Sequence, residues 1–245
     1  MTQANERCRA EVEEKYEEGS WQRSVYEEFR EKMVDRAMVF PCVYATAGYK
    51  ANDHRYVFLE SSDPSSPTSI RILGPAMRAY LRLAHSLGSN TSLVIMCAET
   101  ENVEQLHYYT DQFWKFLRGL RIFDNEQWPA DVPTKTTDKE WTFCYAGESV
   151  FPIALTPAHK DRRSRYSRNM IVAMQPKWVI DQLLATPEKR ESAQNKVRAL
   201  IKKYDVADIS SDLTAYGAEG SSESRQLVLS DDGTTNHIPY EDLDL

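Results

Sequence analysis

The sequence predicts an α+β fold, a single domain in which helices flank a largely antiparallel sheet. Helix-like and strand-like segments alternate irregularly, and a hairpin is predicted around Gly147 and Glu148 near the middle of the chain. The 245 residues, 41% of them hydrophobic and 11% aromatic, suffice for one large core and exclude wholesale disorder.

The N-terminal half alternates amphipathic helices with short apolar strands. Spaced apolar side chains among charges predict helices, while runs of β-branched and aromatic residues predict strands. The predicted helices span residues 5–38, 74–88 and 101–120, and the first of them is broken at Gly19 and Ser20. The predicted strands span 42–48, 54–60 and 91–99. The stretch 61–69, rich in serine and proline, predicts a loop.

The C-terminal half begins with a proline-containing connection over 124–140. Proline at the first helical position predicts two helix starts, one at Pro176 and one at Pro187 with Thr186 as N-cap. The predicted strands span 141–147 and 149–156, which form the hairpin, then 169–176 and 225–232. We therefore expect an N-terminal helical segment, 1–37, packed on a domain of residues 38–232, and a flexible acidic tail, 233–245.

Composition excludes several classes of protein. No apolar run approaches the roughly 20 residues that span a bilayer, and the polar N-terminus is unlike a signal peptide. Four scattered cysteines fit free thiols in a reducing compartment. A net charge of −7 argues against a general nucleic-acid binder. We expect a cytoplasmic protein without membrane or nucleic-acid partners.

Common catalytic and cofactor motifs are absent from the sequence. It contains no GxGxxG, no P-loop, no HExxH and no GxSxG. It also lacks CxxCH, the motif that attaches c-type haem covalently.

Residues 156–168, TPAHKDRRSRYSR, combine a histidine with concentrated positive charge, and we call them the basic loop. His159 stands among five cations and one acid, Asp161, in an acidic chain. The cations are Lys160, Arg162, Arg163, Arg165 and Arg168.

Three interpretations of the basic loop stay open from its residues alone. It could be a solvated loop whose charges have no function. It could bind carboxylate or phosphate, because arginine forks hold such anions in a bidentate manner. It could also hold non-covalent haem, which needs an axial ligand such as imidazole, cations for two propionates and an apolar slot. The aromatic segment 141–151 just upstream could form part of that slot.

A fourth interpretation is a non-haem iron site. His159 and Asp161 form an HxD triplet, the pattern that supplies two of the three facial ligands in many iron oxygenases. The third ligand would have to be a distant histidine, and only His237 follows in the sequence. The other histidines, His54, His85 and His107, are predicted to be ordinary core or surface residues.

Seven sequence blocks resemble, in this order, the YqcI/YcgG family, and together they cover residues 38–232. The blocks are FPCVYA (40–45), RYVFLE (55–60), WP..VP (128–133), W.F.Y.G...F (141–151), P.HKDRRSR (157–165), MQPKWVIDQL (174–183) and RQLVLSDD (225–232). Characterised members of this family are small haem-dependent oxygenases that N-hydroxylate amines or guanidines of arginine-type amino acids in natural-product biosynthesis.

The resemblance implies heme b as cofactor, dioxygen as co-substrate and an amine- or guanidine-bearing substrate. It also implies His159 as the axial ligand of the iron. On this interpretation Arg162, Arg163, Arg165 and Arg168 are candidate partners of the propionates. Candidate pocket walls are Phe40, Val43, Trp141, Phe143 and Phe151.

Several alternatives remain beside this hypothesis. Cys42 is the rival axial ligand, because a thiolate would favour O–O cleavage. The same site could serve a haem carrier or sensor without turnover. Since no flavin or nicotinamide motif is present, an enzyme of this kind needs an external electron donor or reductase. A homodimer is compatible with the sequence, which does not determine the oligomeric state.

Overall fold

A five-stranded sheet forms the centre of the computed structural model, which describes residues 6–213 and 221–243. The strands are β1 (Arg55–Leu59), β2 (Leu93–Cys97), β3 (Phe143–Tyr145), β4 (Glu148–Leu155) and β5 (Ile171–Pro176). Their order is β1-β2-β5-β4-β3. Only β1 and β2 run parallel, and the other three pairs are antiparallel. The predicted α+β fold with a largely antiparallel sheet is confirmed.

Seven α-helices accompany the sheet in the described residues. They are α1 (Arg9–Lys15), α2 (Trp21–Val34), α3 (Val43–Ala51), α4 (Pro67–Leu87), α5 (Leu106–Ile122), α6 (Lys177–Leu183) and α7 (Pro187–Tyr204). The side chains of Ser20, Ser66 and Thr186 accept hydrogen bonds from the first turns of α2, α4 and α7. These caps satisfy backbone donors that a helix start leaves without partners.

Both faces of the sheet are buried, because alternate residues of β1, β2 and β5 enter different cores. One core contains Val57, Ile95 and Val172 of the sheet and is covered by α4 and α5. The other contains Val94 and Met96 and is covered by α1, α2 and α3. Side chains from residues 6–37 therefore supply much of the second core.

Three predicted segments were wrong. Residues 42–48 form the start of helix α3 instead of a strand. Tyr49, a buried residue of this helix, shares a hydrogen bond of 3.3 Å with the hydroxyl of Tyr26 on α2. The open edge of β1 is instead bridged by Arg7, which exchanges two backbone hydrogen bonds with Tyr56.

The other two errors concern the start of one helix and a predicted strand that does not form. Helix α4 starts at Pro67, seven residues before the predicted start, and keeps Pro75 in its interior because nine of its residues are buried. The segment 225–232 is not a strand. It follows a short 3-10 turn, Ser224–Gln226, and its carbonyl groups accept hydrogen bonds from buried side chains of the basic loop.

The described part of the C-terminal tail lies against the domain. Lys135 forms an isolated β-bridge with Asp242, and Thr136 donates a hydrogen bond to the carbonyl of Tyr240 at 2.7 Å. The ring of Tyr240 also lies 4.8 Å from the guanidinium of Arg118, and Leu243 is fully buried.

Replacing Ser66 by alanine tests the observed start of α4. The Ser66 hydroxyl accepts from the backbone amide of Ser69 at 3.2 Å, so we expect a loss of about 1 kcal/mol in the free energy of unfolding, measured with urea. Thr68→Ala, an exposed change in the first turn of the same helix, should alter it by less than about 0.5 kcal/mol. Equal stability of the two variants would contradict the cap.

Candidate functional site

The basic loop follows β4 and is tied to two segments distant in sequence. The carboxylate of Asp231 accepts hydrogen bonds from the backbone amides of Lys160, Asp161 and Arg162, at distances of 2.6–3.1 Å. Burial opposes ionisation of Asp231, but these three amides outweigh it and keep the pKa of the carboxyl below its ordinary value. The backbone carbonyl of Asp161 also accepts a hydrogen bond from the backbone amide of Val206. This network holds the loop in one conformation.

His159 is buried at the base of the loop, with 1% of its surface exposed. Its Nδ1 lies 2.9 Å from Oγ1 of Thr156, and its Nε2 lies 2.7 Å from the carbonyl oxygen of Leu229. Because Leu229 can only accept, Nε2 carries the proton. Burial lowers the pKa of His159, so the ring is neutral at pH 7.

Arg162 is an internal residue of the loop and is 1% exposed. Its guanidinium donates to the carbonyl oxygens of Ser230 at 2.8 Å and Asp208 at 3.2 Å. Its Nη1 lies 3.9 Å from the fully buried carboxylate of Asp205. Arg162 therefore joins the loop to two other segments and does not face solvent.

The other three arginines differ in their surroundings. Arg165 donates to the carbonyl oxygens of Gln226 and Leu227, and desolvation together with the nearby Arg162 lowers the pKa of Arg165 to about 10. Arg163 and Arg168 are exposed. The backbone amide of Arg168 faces the carboxylate of Glu28 on α2. Arg163 lines a cavity beside the loop.

This cavity, which we call the basic cavity, has a volume of about 450 Å³. It is lined by Lys32, Met38, Pro157, His159, Lys160, Arg163, Tyr166 and Tyr204. Within the described residues no ion pair involves Lys160 or Arg163. Its volume falls in the range of about 300–1,000 Å³ that is usual for small-molecule sites.

Lys32 and Tyr204 are wall residues that the sequence did not indicate, as is Met38. Lys32 of α2 pairs with Glu28 at 3.1 Å, donates to the carbonyl of Tyr166 and lies 5.1 Å from that tyrosine ring; burial lowers the pKa of Lys32. Tyr204 ends α7, and burial raises the pKa of its hydroxyl to about 12. Neither Lys32 nor Tyr204 stands out in the sequence as a site residue. Lys32 is one of many charged residues in its helix, and Tyr204 occupies an ordinary apolar position at the end of α7.

The predicted aromatic wall is divided between the two cores. Phe40 packs edge-on against Tyr204 with ring centroids 5.6 Å apart, directly behind the basic cavity. Trp141 and Phe143 are fully buried in the core on the other face of the sheet, and Phe151 packs against that core. Val43 is half-buried at the start of α3. The structure thus brings only Phe40 of this set close to the cavity.

The haem that the family resemblance implies fits the basic cavity in charge and in its aromatic lining. Lys160 and Arg163 could neutralise two propionates, and Tyr166 and Tyr204 offer flat surfaces. Ligation by His159 requires Nε2 to leave the carbonyl of Leu229 and to lose its proton. His159 as ligand stays a prediction.

Cys42, the rival ligand, precedes helix α3. Burial raises the pKa of its thiol, whereas the backbone amides of Tyr44 and Ala45 and the nearby Arg165 act in the opposite direction. Cys42 does not line the basic cavity. It too stays a candidate.

The non-haem iron interpretation lacks a third ligand in the structure. No group of three histidine, cysteine or acidic side chains among residues 6–213 and 221–243 could hold a metal ion. Asp161 is exposed, while His159 is buried and bonded at both nitrogens. The HxD triplet is therefore not assembled into a facial triad.

Fold and cavity together define an α+β protein with a loop-built basic cavity of small-molecule size. Comparison with known proteins then assigns the family: residues 29–241 match the model of the YqcI/YcgG family, and the chain belongs to it. The chain is 32% identical to the uncharacterised protein YcgG of Bacillus subtilis, over 86% of this chain and 84% of that protein.

Two further relatives are similar over most of their length. The uncharacterised protein YqcI of Bacillus subtilis is 28% identical over 86% of this chain and 84% of its own. The putative N(omega)-hydroxy-L-arginine synthase DcsA of Streptomyces lavendulae is 26% identical over 80% of this chain and 75% of its own. No solved structure matches the chain significantly. In the described part of the chain, no helix has the length and apolar composition required to cross a bilayer.

Proposed function

We propose that the protein is a haem-dependent oxygenase that N-hydroxylates an amine or guanidine of an amino-acid-derived substrate. The observation that carries this proposal is the likeness, over 80% of the chain, to a relative named as a putative N(omega)-hydroxy-L-arginine synthase. The basic cavity supports it, because it offers cations for carboxylates and an imidazole in its wall.

Six of the eight wall residues have a role in this proposal. Arg163 and Lys160 hold carboxylates at the rim, and the rings of Tyr204 and Tyr166 cover the flat faces of the ligand. His159 would hold the iron of a bound heme b, and Lys32 adds positive charge from α2. Haem, when bound, would supply the oxygen-activating chemistry that amino-acid side chains lack. Dioxygen and an external electron donor or reductase are therefore required.

The direct test is a turnover assay with the purified full-length protein. We expect the haem-loaded protein, given a reductant and dioxygen, to add one oxygen atom to a nitrogen of L-arginine or a related amino acid, detected by mass spectrometry. Protein without haem serves as the control. A protein that binds haem but converts no amine or guanidine would be a carrier or sensor, and the proposed function would be wrong.

Replacing Arg163 by alanine should weaken haem retention about ten- to a hundredfold, because one charge-assisted hydrogen bond contributes roughly 1.5–3 kcal/mol. The rate of haem transfer to an acceptor protein measures this loss of retention. Arg168→Ala is the matched control, since Arg168 belongs to the same loop and is exposed but lies outside the cavity. Equal transfer rates from the two variants would show that the basic cavity does not hold the propionates.

A further inference from the structure

A second cavity lies at the other end of β4, and we call it the acidic cavity. Its volume is about 410 Å³. Its wall includes Asp131, Glu140, Thr142, Glu148, Trp178 and Asp181. Four of these carry carboxylates, and the one cation in the wall, Lys177, is already paired with Asp181 at 2.7 Å. The wall therefore has an excess of negative charge.

A fifth carboxyl group stands directly behind this wall. Glu223 is only 5% exposed, and its Oε1 accepts a hydrogen bond from Thr142 of the wall at 3.3 Å. Its Oε2 is buried and has no hydrogen-bond partner among the described residues. A buried polar atom without a partner is costly and marks a place where a ligand or water completes the site.

The electrostatic surroundings of Glu223 come from two elements. Burial raises the pKa of Glu223 to about 8. Lys177 and the Thr142 hydroxyl lower this pKa, and Asp181 raises it. The buried thiol of Cys144 on β3 also lies near Glu223. At pH 7 the carboxyl is therefore mostly protonated. A cation arriving nearby would favour the ionised form and release this proton.

The same cavity offers an apolar surface. The indole of Trp178 lines it together with Pro129 and Val132. The Trp178 ring is held by stacking on His85, with centroids 4.3 Å apart and planes 16° from parallel. Carboxylates beside an aromatic ring suit a cation with an alkyl chain, since the ring attracts the charge and packs on the methylenes.

We propose that the acidic cavity binds an organic monocation, an alkylguanidinium or alkylammonium ion. The carboxylates of Glu148 and Asp131 neutralise its charge, Trp178 packs on its chain, and Glu223 ionises as it binds. The eight residues of β4 separate Glu148 from the basic cavity by roughly 25 Å. This site is therefore distinct from the basic cavity, and it does not depend on the proposed oxygenase function.

Calorimetry with butylguanidine and butylurea tests the proposal on the full-length protein. The two probes have nearly the same shape, but only butylguanidine is charged at pH 7. We expect saturable binding of butylguanidine and at least about tenfold weaker binding of butylurea. Equal binding of both probes, or binding of neither at millimolar concentration, would overturn the proposal.

Variants locate the binding and separate it from the basic cavity. The double variant Asp131→Asn/Glu148→Gln should bind butylguanidine at least about tenfold more weakly. The control Asp111→Asn/Glu101→Gln removes two exposed acids outside both cavities and should bind like the wild type. If the double variant Asp131→Asn/Glu148→Gln keeps full affinity for butylguanidine, or if Arg163→Gln removes binding instead, the site is wrongly placed.

The role of Glu223 has its own readout. Titration at pH 7 in two buffers with different ionisation enthalpies should show a fraction of one proton released when butylguanidine binds. Glu223→Gln should still bind the probe but release no proton. Proton release that is unchanged in Glu223→Gln would contradict the placement of the cation beside this carboxyl.

Discussion

Arg162→Met is expected to lower the free energy of unfolding by about 3–5 kcal/mol. The guanidinium lies 3.9 Å from the fully buried carboxylate of Asp205 and donates to two backbone carbonyl groups. Methionine keeps most of the side-chain volume but removes the ion-pair partner of this carboxylate, which keeps its two hydrogen bonds from Ser164, and leaves both carbonyl groups without this donor. Urea unfolding followed by tryptophan fluorescence measures the loss.

Arg163→Met provides the control for this measurement. Arg163 is the next residue in the chain but is exposed, so its replacement should change stability by less than about 0.5 kcal/mol. The two variants remove the same charge from the same loop. If both lose the same stability, the loss would come from net charge and the internal role of Arg162 would be refuted.

His159→Ala is expected to abolish stable haem binding, a larger loss than the roughly 10–100-fold caused by removing an outer partner of a ligand. Wild-type protein loaded with haem should show an imidazole-type spectrum of the ferrous carbonyl complex. Because Nε2 must leave the carbonyl of Leu229 to reach iron, haem loading should also speed amide hydrogen exchange in residues 227–232.

Two controls separate ligand loss from loss of structure. Added imidazole should restore an imidazole-type spectrum to His159→Ala if the fold is intact, and circular dichroism of the variant without haem checks the fold. Cys42→Ala should keep the wild-type spectrum. A normal spectrum in His159→Ala with an altered one in Cys42→Ala would instead identify the thiolate as the ligand.

Local signals were sufficient for much of the fold. Thr186 and Pro187 mark the start of α7, and Pro176 precedes α6, because capping and proline geometry act within one turn. A hairpin was predicted around Gly147 and Glu148, and it forms one residue earlier, at Ala146 and Gly147, which both have the positive φ of a two-residue turn. The sequence blocks also indicated the family, which the match over residues 29–241 confirmed.

Local signals failed where a tertiary contact decided the conformation. Residues 42–48 have strand-like composition but form a helix, because α3 packs on α2 and Arg7 occupies the edge of β1. Residues 225–232 have the composition of a strand. Their carbonyl groups instead accept hydrogen bonds from His159, Arg162 and Arg165, and the backbone hydrogen bond from Ala154 of β4 to Leu227 is not continued into a ladder.

The basic loop shows this division most clearly. The sequence alone determined that a histidine and five cations stand together in an acidic chain, and that this block resembles one family. Only the tertiary structure separated Arg162 and Arg165, which hold distant segments, from Arg163, which lines a cavity. The hydrogen-bond partners of Arg162 and Arg165 lie 40–70 residues away, and burial depends on such long-range packing, which spacing along the chain does not encode.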